Sequence, residues 1–215
     1  MMNKINIFCF GFGQVAEGFI NKLIQEKKDF DLSITSRQET HQTELNNFKI
    51  ISYQFTDDKF DSSIYNKLKE ANYILISIPP IEGKDIVAKY FDKNLQGITN
   101  CKWITYLSAT SVYGDHKGEW VNENSTTKPT SSNGSSRLAA ENTWKKISNK
   151  HKYPLQIFRL AGIYSKEFNI LKRLQTGKLQ VVDKKNHFFS RIHVEDIDNI
   201  LFKSLDNFKN NEIYN

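Results

Sequence analysis

At 215 residues, with 39% hydrophobic and 25% charged side chains, the chain has the size and make-up of one globular domain with a sizeable core. No apolar run approaches the length of a membrane span. The N-terminal apolar stretch is short, broken by Asn6 and followed by glycines rather than a cleavage site, so a cytoplasmic protein without a signal peptide is expected. The net charge of +6 comes from lysines mixed with Asp, Glu and Asn; Lys27-Lys28, Lys145-Lys146 and Lys184-Lys185 are only doublets, which argues for a solvated surface and against a nucleic-acid partner.

Strands are expected at 4–10, 31–36, 49–54, 73–78, 102–107 and 154–160, and helices at about 14–27, 61–71, 83–96, 134–150 and 195–207. The strands are continuous apolar runs rather than alternating ones, as when helices cover both faces of a sheet. Their regular alternation with helices predicts an α/β fold with a doubly wound parallel sheet, a Rossmann fold, in a single domain over 1–215. The Ser-, Thr- and Asn-rich stretch from Asn122 to Ser136 reads as a surface loop. Cys9 and Cys101 lie in or beside predicted strands without the spacing of a metal or redox pair, so buried free thiols and no metal site are expected.

The first strand runs straight into Gly11-Phe12-Gly13-Gln14-Val15-Ala16, a G-x-G-x-x-A turn that opens an amphipathic helix (Val15, Phe19, Ile20, Leu23, Ile24). Gly11 permits the sharp turn, Gly13 leaves room for a pyrophosphate, and Ala16 lets the helix pack on the strand. The helix N-terminus offers unpaired N–H groups to phosphate oxygens. In such a fold the tip of the second strand selects the cofactor: a carboxylate there binds the ribose hydroxyls of NAD, a cation the extra phosphate of NADP. Here the tip is Ser36-Arg37 with no carboxylate, and Asp29 and Asp31 stand at the strand's other end. NADP is therefore expected ahead of NAD. The fourth strand ends in Ser77-Ile78-Pro79-Pro80, where the chain must leave the sheet beside the cofactor crevice.

Tyr106-Leu107-Ser108-Ala109-Thr110-Ser111-Val112-Tyr113-Gly114-Asp115 resembles the strand-five signature of the extended short-chain dehydrogenases/reductases, the NAD-dependent epimerase/dehydratase group. Phe158-Arg159-Leu160-Ala161-Gly162-Ile163-Tyr164 is similar to that group's strand-six exit, and Ser190-Arg191-Ile192-His193-Val194-Glu195-Asp196-Ile197 to its R-x-H-V-x-D segment. With the glycine turn these motifs follow the group's order along essentially the whole chain. The nearest resemblance is to an atypical branch with a G-x-G turn and a Thr-x-Arg-like end of strand two, here Thr35-Ser36-Arg37.

The resemblance implies a cofactor held by Gly11, Phe12, Gly13, Gln14, Val15, Ser36, Arg37, Ser77, Ile78, Pro79, Ser108, Arg137, Ala161 and Gly162. It implies an unknown small-molecule substrate near Tyr113, Arg191 and His193, with Glu119, Trp120, Val121 and Glu123 in a loop by the cleft and a short helix within Phe168 to Lys178. A small substrate lobe at about 165–194 and 210–215 looks incomplete: Glu212-Ile213-Tyr214-Asn215 resembles the start of a further strand, so the chain is either truncated or a minimal version. A homodimer through two helices is common in the group.

Active members of the group use a helical Tyr-x-x-x-Lys pair with a Ser or Thr after strand five. The matching positions here are Asn133, Arg137 and Ala109. An amide exchanges no proton near neutral pH, and a guanidinium is a poor proton relay. Ser108, Thr110 and Arg137 are the remaining candidates for a catalytic role. Two functions follow as expectations. One is an NADP-dependent oxidoreductase or epimerase acting on a carbonyl or nucleotide-sugar-like substrate. The other is a non-catalytic dinucleotide-binding sensor or regulatory module.

Overall fold

The computed structural model describes residues 4–94, 97–178 and 188–215. Lys184-Lys185, residues 95–96 of the helix expected at 83–96, and residues 179–187 of the expected substrate lobe lie outside them. The run Ile5–Phe10 is strand β1 and Gln14–Gln25 is helix α1. Then come β2 (Phe30–Ser36), β3 (His41–Leu45), β4 (Phe48–Gln54), α2 (Ile64–Glu70), β5 (Tyr73–Ile76) and α3 (Ile86–Asn94). The second half runs β6 (Trp103–Ala109), α4 (Ser132–His151), β7 (Leu155–Leu160), β8 (Gly162–Tyr164), α5 (Ile170–Gln175), β9 (Arg191–His193), α6 (Val194–Ser204) and β10 (Glu212–Tyr214).

One sheet of eight strands has the order β10-β7-β6-β5-β1-β2-β4-β3, and β8 and β9 form a separate parallel pair. Within it, β4-β2-β1-β5-β6-β7 is the strand order of a dinucleotide-binding Rossmann fold. The order reverses between β1 and β5, which opens a crevice outside the carboxyl ends of the strands.

The sheet is not wholly parallel as expected. β3 pairs antiparallel with β4, and the span between β2 and β4, where no element was expected, holds this edge strand. Its sequence, His41-Gln42-Thr43-Glu44-Leu45, is polar because an edge strand buries little, so it carries no apolar signal. Asn46 and Asn47 close the hairpin with φ of 47° and 69°, the left-handed pair that a two-residue turn requires. Boundaries shift for similarly local reasons. The helix expected from residue 83 begins at Ile86, because Glu82 and Gly83 take φ of 50° and 77° in a tight turn. Asp85 then accepts the Ala88 N–H at the head of α3. The loop expected to reach Ser136 ends at Ser131, whose hydroxyl accepts the Gly134 N–H and caps α4.

Alternate residues of β1 feed two core layers. Phe8 and Phe10 pack with Ile64 and Leu68 of α2, Phe91 of α3 and Trp144 of α4. Ile7 and Cys9 pack with Phe19 and Leu23 of α1 and with Ile197 and Leu201 of α6. Helices α1 and α6 meet so closely that a Cβ on Gly18 would lie 2.3 Å from Asp198 Oδ2.

Much of the basic charge also finds its place. Lys22, Lys67, Lys69, Lys93, Lys150 and Lys203 stand in the last turns of α1, α2, α3, α4 and α6, where cations offset exposed carbonyls. No helix among the described residues is long and apolar enough to cross a membrane.

Candidate functional site

A cleft of about 1080 Å3 lies along the carboxyl ends of β1, β2, β4, β5, β6 and β7. One wall is the turn after β1. Gly11 has φ of +81°, and a Cβ there would come within 2.9 Å of both Ile78 Cγ1 and Ser77 Oγ. Its N–H donates to Thr35 Oγ1 at 2.8 Å, and Ser77 Oγ donates to the Phe10 and Gly11 carbonyls at 3.0 and 3.1 Å. The turn is thus braced by β2 on one side and by the exit of β5 on the other.

Gly13 is different. It is the N-cap of α1, supplies no side-chain cap, and a Cβ placed on it meets nothing within 4 Å. The first-turn N–H groups at Gln14 and Val15 therefore open on the cleft without a side-chain acceptor. Unpaired donors at the positive end of a helix, reached through a space that a methyl group would fill, fit a pyrophosphate.

This separates two glycines that look alike in sequence. Gly11→Ala is expected to strain the turn and destabilise the fold by about 1–3 kcal/mol. Gly13→Ala should leave the melting temperature within about two degrees of wild type and, on the reading that a dinucleotide pyrophosphate lies against this turn, should weaken its binding at least about tenfold, a loss of about 1.4 kcal/mol. Thermal melts and fluorescence titrations of both variants check the contrast; equal affinity in Gly13→Ala and wild type would overturn it.

At the β2 end, Ser36 and Arg37 line the cleft together with Phe55, Thr56 and Asp57 after β4. Arg37 is exposed, and Asp57 is paired with Lys89 at 2.9 Å. In the middle stand Ser77, Ile78, Pro79 and the tight turn bearing Ile81, Glu82 and Lys84. That turn is tied to α4 by a bond from the Gly83 N–H to Ser136 Oγ at 3.0 Å.

The far end is formed by Leu107, Ser108 and Ala109 of β6, Leu160, Ala161 and Ile163 from β7 to β8, and Arg137 of α4. Arg137 donates to the Leu107 carbonyl, which fixes the guanidinium against the end of β6. Behind it, burial raises the Asp85 carboxyl above its usual range, while bonds from the Ala88 N–H and Trp144 Nε1 and the charge of Arg137 pull it back.

Ser108 is not free. Its hydroxyl donates to Glu141 Oε1 at 2.6 Å, in a buried network where Arg159 grips both carboxylate oxygens, Nε on Oε1 at 3.1 Å and Nη2 on Oε2 at 2.8 Å. Arg159 Nη1 donates to the Tyr113 hydroxyl, which in turn donates to Asn215 Oδ1, each at 2.8 Å.

Of the expected cofactor positions, Gly11, Phe12, Gly13, Gln14, Val15, Ser36, Arg37, Ser77, Ile78, Pro79, Ser108, Arg137 and Ala161 line this one cleft, and Gly162 lies just outside it at the start of β8. Among the catalytic candidates, Ser108 and Arg137 line it and Thr110, in a 3-10 turn after β6, does not. Tyr113, Arg191 and His193 do not line it either. Tyr113 is buried in the Arg159 network, the Arg191 guanidinium lies 4.8 Å from the Phe189 ring centre, and His193 meets Tyr164 edge-on at 4.9 Å. Asn133, at the tyrosine position of the resemblance, is exposed in the first turn of α4.

Thr35, next to the expected Ser36 and Arg37, also lines the cleft, and so do Asp57, Glu82 and Lys84, which come from segments without a motif and were not expected there. Nor was a role expected for Glu141, or for Arg159 inside the strand-six motif. A signal for that pair existed: an arginine inside an apolar strand run and a glutamate on the sheet-facing side of a helix are each too costly to bury alone.

No protein-family model matches the sequence, and no curated protein matches it. Solved structures do share its fold. A functionally unknown conserved protein from Silicibacter pomeroyi is 29% identical with a TM-score of 0.78, over 99% of this chain and 72% of that one. UDP-N-acetylglucosamine 4-epimerase from Bacillus cereus is 16% identical with a TM-score of 0.72, over 98% and 76% of the two chains. UDP-glucuronic acid 4-epimerase from Bacillus cereus, solved with UDP-glucuronic acid and NAD, is 14% identical with a TM-score of 0.75, over 97% and 76%. The chain therefore has the Rossmann-like α/β fold found in UDP-sugar epimerases.

Proposed function

We propose that this chain is an NADP-binding protein of the NAD-dependent epimerase/dehydratase group, in an atypical branch of the extended short-chain dehydrogenases/reductases. The observation that carries the reading is the cleft at the strand-order reversal, with open helix donors at Gly13 and the exposed Arg37 at the tip of β2. In this reading the pyrophosphate lies at Gln14 and Val15, the adenosine phosphate at Ser36 and Arg37, and the nicotinamide ribose near Ser108 and Arg137. NAD is the second choice, since a carboxylate at the β2 tip, the usual partner of its ribose hydroxyls, is missing. Free, largely buried thiols at Cys9 and Cys101 suit a cytoplasmic setting.

When bound, the dinucleotide would supply or accept a hydride, on a carbonyl or nucleotide-sugar-like substrate. The chain's part in such chemistry is narrow. Arg137 presents a fixed cation at the inner end of the cleft, suited to ribose hydroxyls or to an oxygen that gains negative charge. A second reading is a sensor or regulatory module that binds the dinucleotide without turnover. One observation favours it: the Ser108 hydroxyl is committed to Glu141, and Ala109 and Asn133 stand where a hydroxyl and a tyrosine would work.

The test is a paired titration with NADPH and NADH, repeated with Arg37→Ala. Wild type should prefer NADPH, and the variant should lose about ten- to a hundredfold for NADPH, as for a charged hydrogen-bonding partner, with NADH binding nearly unchanged. Equal binding of the two dinucleotides to wild type would overturn the NADP reading, and binding of neither would overturn the cofactor itself. NADPH oxidation across a panel of carbonyl compounds then separates the enzyme from the sensor.

A further inference from the structure

Ser36 lies in the cleft wall at the tip of β2, and its hydroxyl oxygen is 3.0 Å from that of Ser52 on β4. Ser52 is 2% exposed and touches no part of the cleft. Its hydroxyl has no other hydrogen-bond partner among the described residues. His41, opposite Ser52 on β3, turns its ring to the Glu39 carbonyl instead. A buried hydroxyl places its proton on an acceptor, and the acceptor within reach here is Ser36 Oγ. The proton of Ser36 is then displaced from the contact with Ser52 and is left for the cleft.

We infer that Ser52 is a specificity-determining residue for the dinucleotide: it holds Ser36 as a hydrogen-bond donor beside Arg37 and so favours a phosphate over a ribose hydroxyl. The inference rests on the NADP reading above. Phosphate oxygens are acceptors only, whereas a ribose hydroxyl both donates and accepts. A hydroxyl that already accepts a bond is also the stronger donor, so the chain from Ser52 through Ser36 to a phosphate reinforces itself. The strand tip is held for this task. Thr35 accepts the Gly11 N–H at 2.8 Å, and the Ser36 carbonyl accepts the Phe55 N–H at 2.8 Å.

The experiment compares NADPH and NADH affinities of wild type, Ser52→Ala, Ser36→Ala and the double variant, with melting curves as a check of the fold. Ser52→Ala should lose about three- to tenfold for NADPH and little for NADH, the size of one hydrogen bond. The double variant should bind NADPH no worse than Ser36→Ala alone, because Ser52 acts only through Ser36. Ser52→Cys, similar in volume but a weak donor, should lose affinity in the same direction, and it decides the matter if Ser52→Ala does not fold. A merely structural Ser52 would change both affinities together or neither. A wild type that prefers NADPH, with the ratio unchanged in the Ser52 variants, overturns the role of Ser52 and leaves the NADP reading standing. A wild type without that preference overturns both.

Discussion

Glu141→Gln is expected to cost about 3–5 kcal/mol of folding stability, the loss typical of removing one partner from a buried ion pair. Glu141 is 0% exposed and Arg159 3%. The carboxylate takes two bonds from Arg159 and one from Ser108, so all its donors converge on a single charge. A glutamine keeps the shape, but it leaves the guanidinium buried without a counter-charge and turns an amide N–H toward a donor. Urea unfolding of wild type and variant measures the loss; a difference below about 1 kcal/mol would mean that the pair is not sealed from water. Replacing both partners, Glu141→Leu with Arg159→Met, should recover at least half of it, because the penalty lies in the orphaned charge rather than in the missing bond.

The same network bears on what the inner end of the cleft can do. Ser108 and Thr110 flank Ala109, and in sequence both are candidates for the hydroxyl that the resemblance places there. In the fold the Ser108 proton belongs to a carboxylate that faces away from solvent. A serine held in this way orients and rigidifies the end of β6, but it is poorly placed to exchange protons with a substrate.

What the sequence disclosed, and what it withheld, follows from the range of the forces involved. The turn at Gly11 and Gly13, the strand tip at Arg37 and the exit at Pro79-Pro80 are local: each depends on a few neighbours and on steric rules, so each can be read from a short window. They also lie at the carboxyl ends of strands, which is where the topology gathers them into one cleft. β3 was not legible because its pairing with β4 depends on a turn of two asparagines rather than on apolar residues. Glu82 and Lys84 were not, because a tight turn alone brings them to the cleft. The bond from Ser108 to Glu141 spans 33 positions and that from Tyr113 to Asn215 spans 102, and no periodicity records such contacts. Motif residues such as Tyr113 were thus visible as a pattern, while their surroundings, which decide between a substrate contact and a buried brace, were not.

Asp198→Asn is expected to stabilise the protein above neutral pH and to do so less and less as the solution is acidified. Asp198 projects from α6 onto Gly18 of α1, is 8% exposed, and its Oδ1 has no hydrogen-bond partner among the described residues. Burial pushes its carboxyl up to about 7 from the ordinary 3.8, with the Glu195 charge adding to the rise. The sign follows from proton counting. Between pH 4 and 7, about the ordinary and the raised values, the folded state holds a proton that the unfolded chain has released, so stability falls as pH rises. Above that window the wild type carries the full cost of a buried, unpaired carboxylate, of the order of 2–4 kcal/mol from the size of the shift; below it both states are protonated and the cost vanishes. Asparagine has the same shape without the charge, so its advantage should be largest near pH 8 and small near pH 4. Urea melts of both proteins at several pH values measure it, and parallel curves would sink the argument. The substitution Gly18→Ala approaches the same contact from the other side: its methyl group has no room beside the carboxylate and should destabilise the protein at every pH. Since α1 is also the helix whose N-terminus opens on the cleft, the carboxylate that loosens it at alkaline pH lies one helix turn beyond the proposed phosphate site.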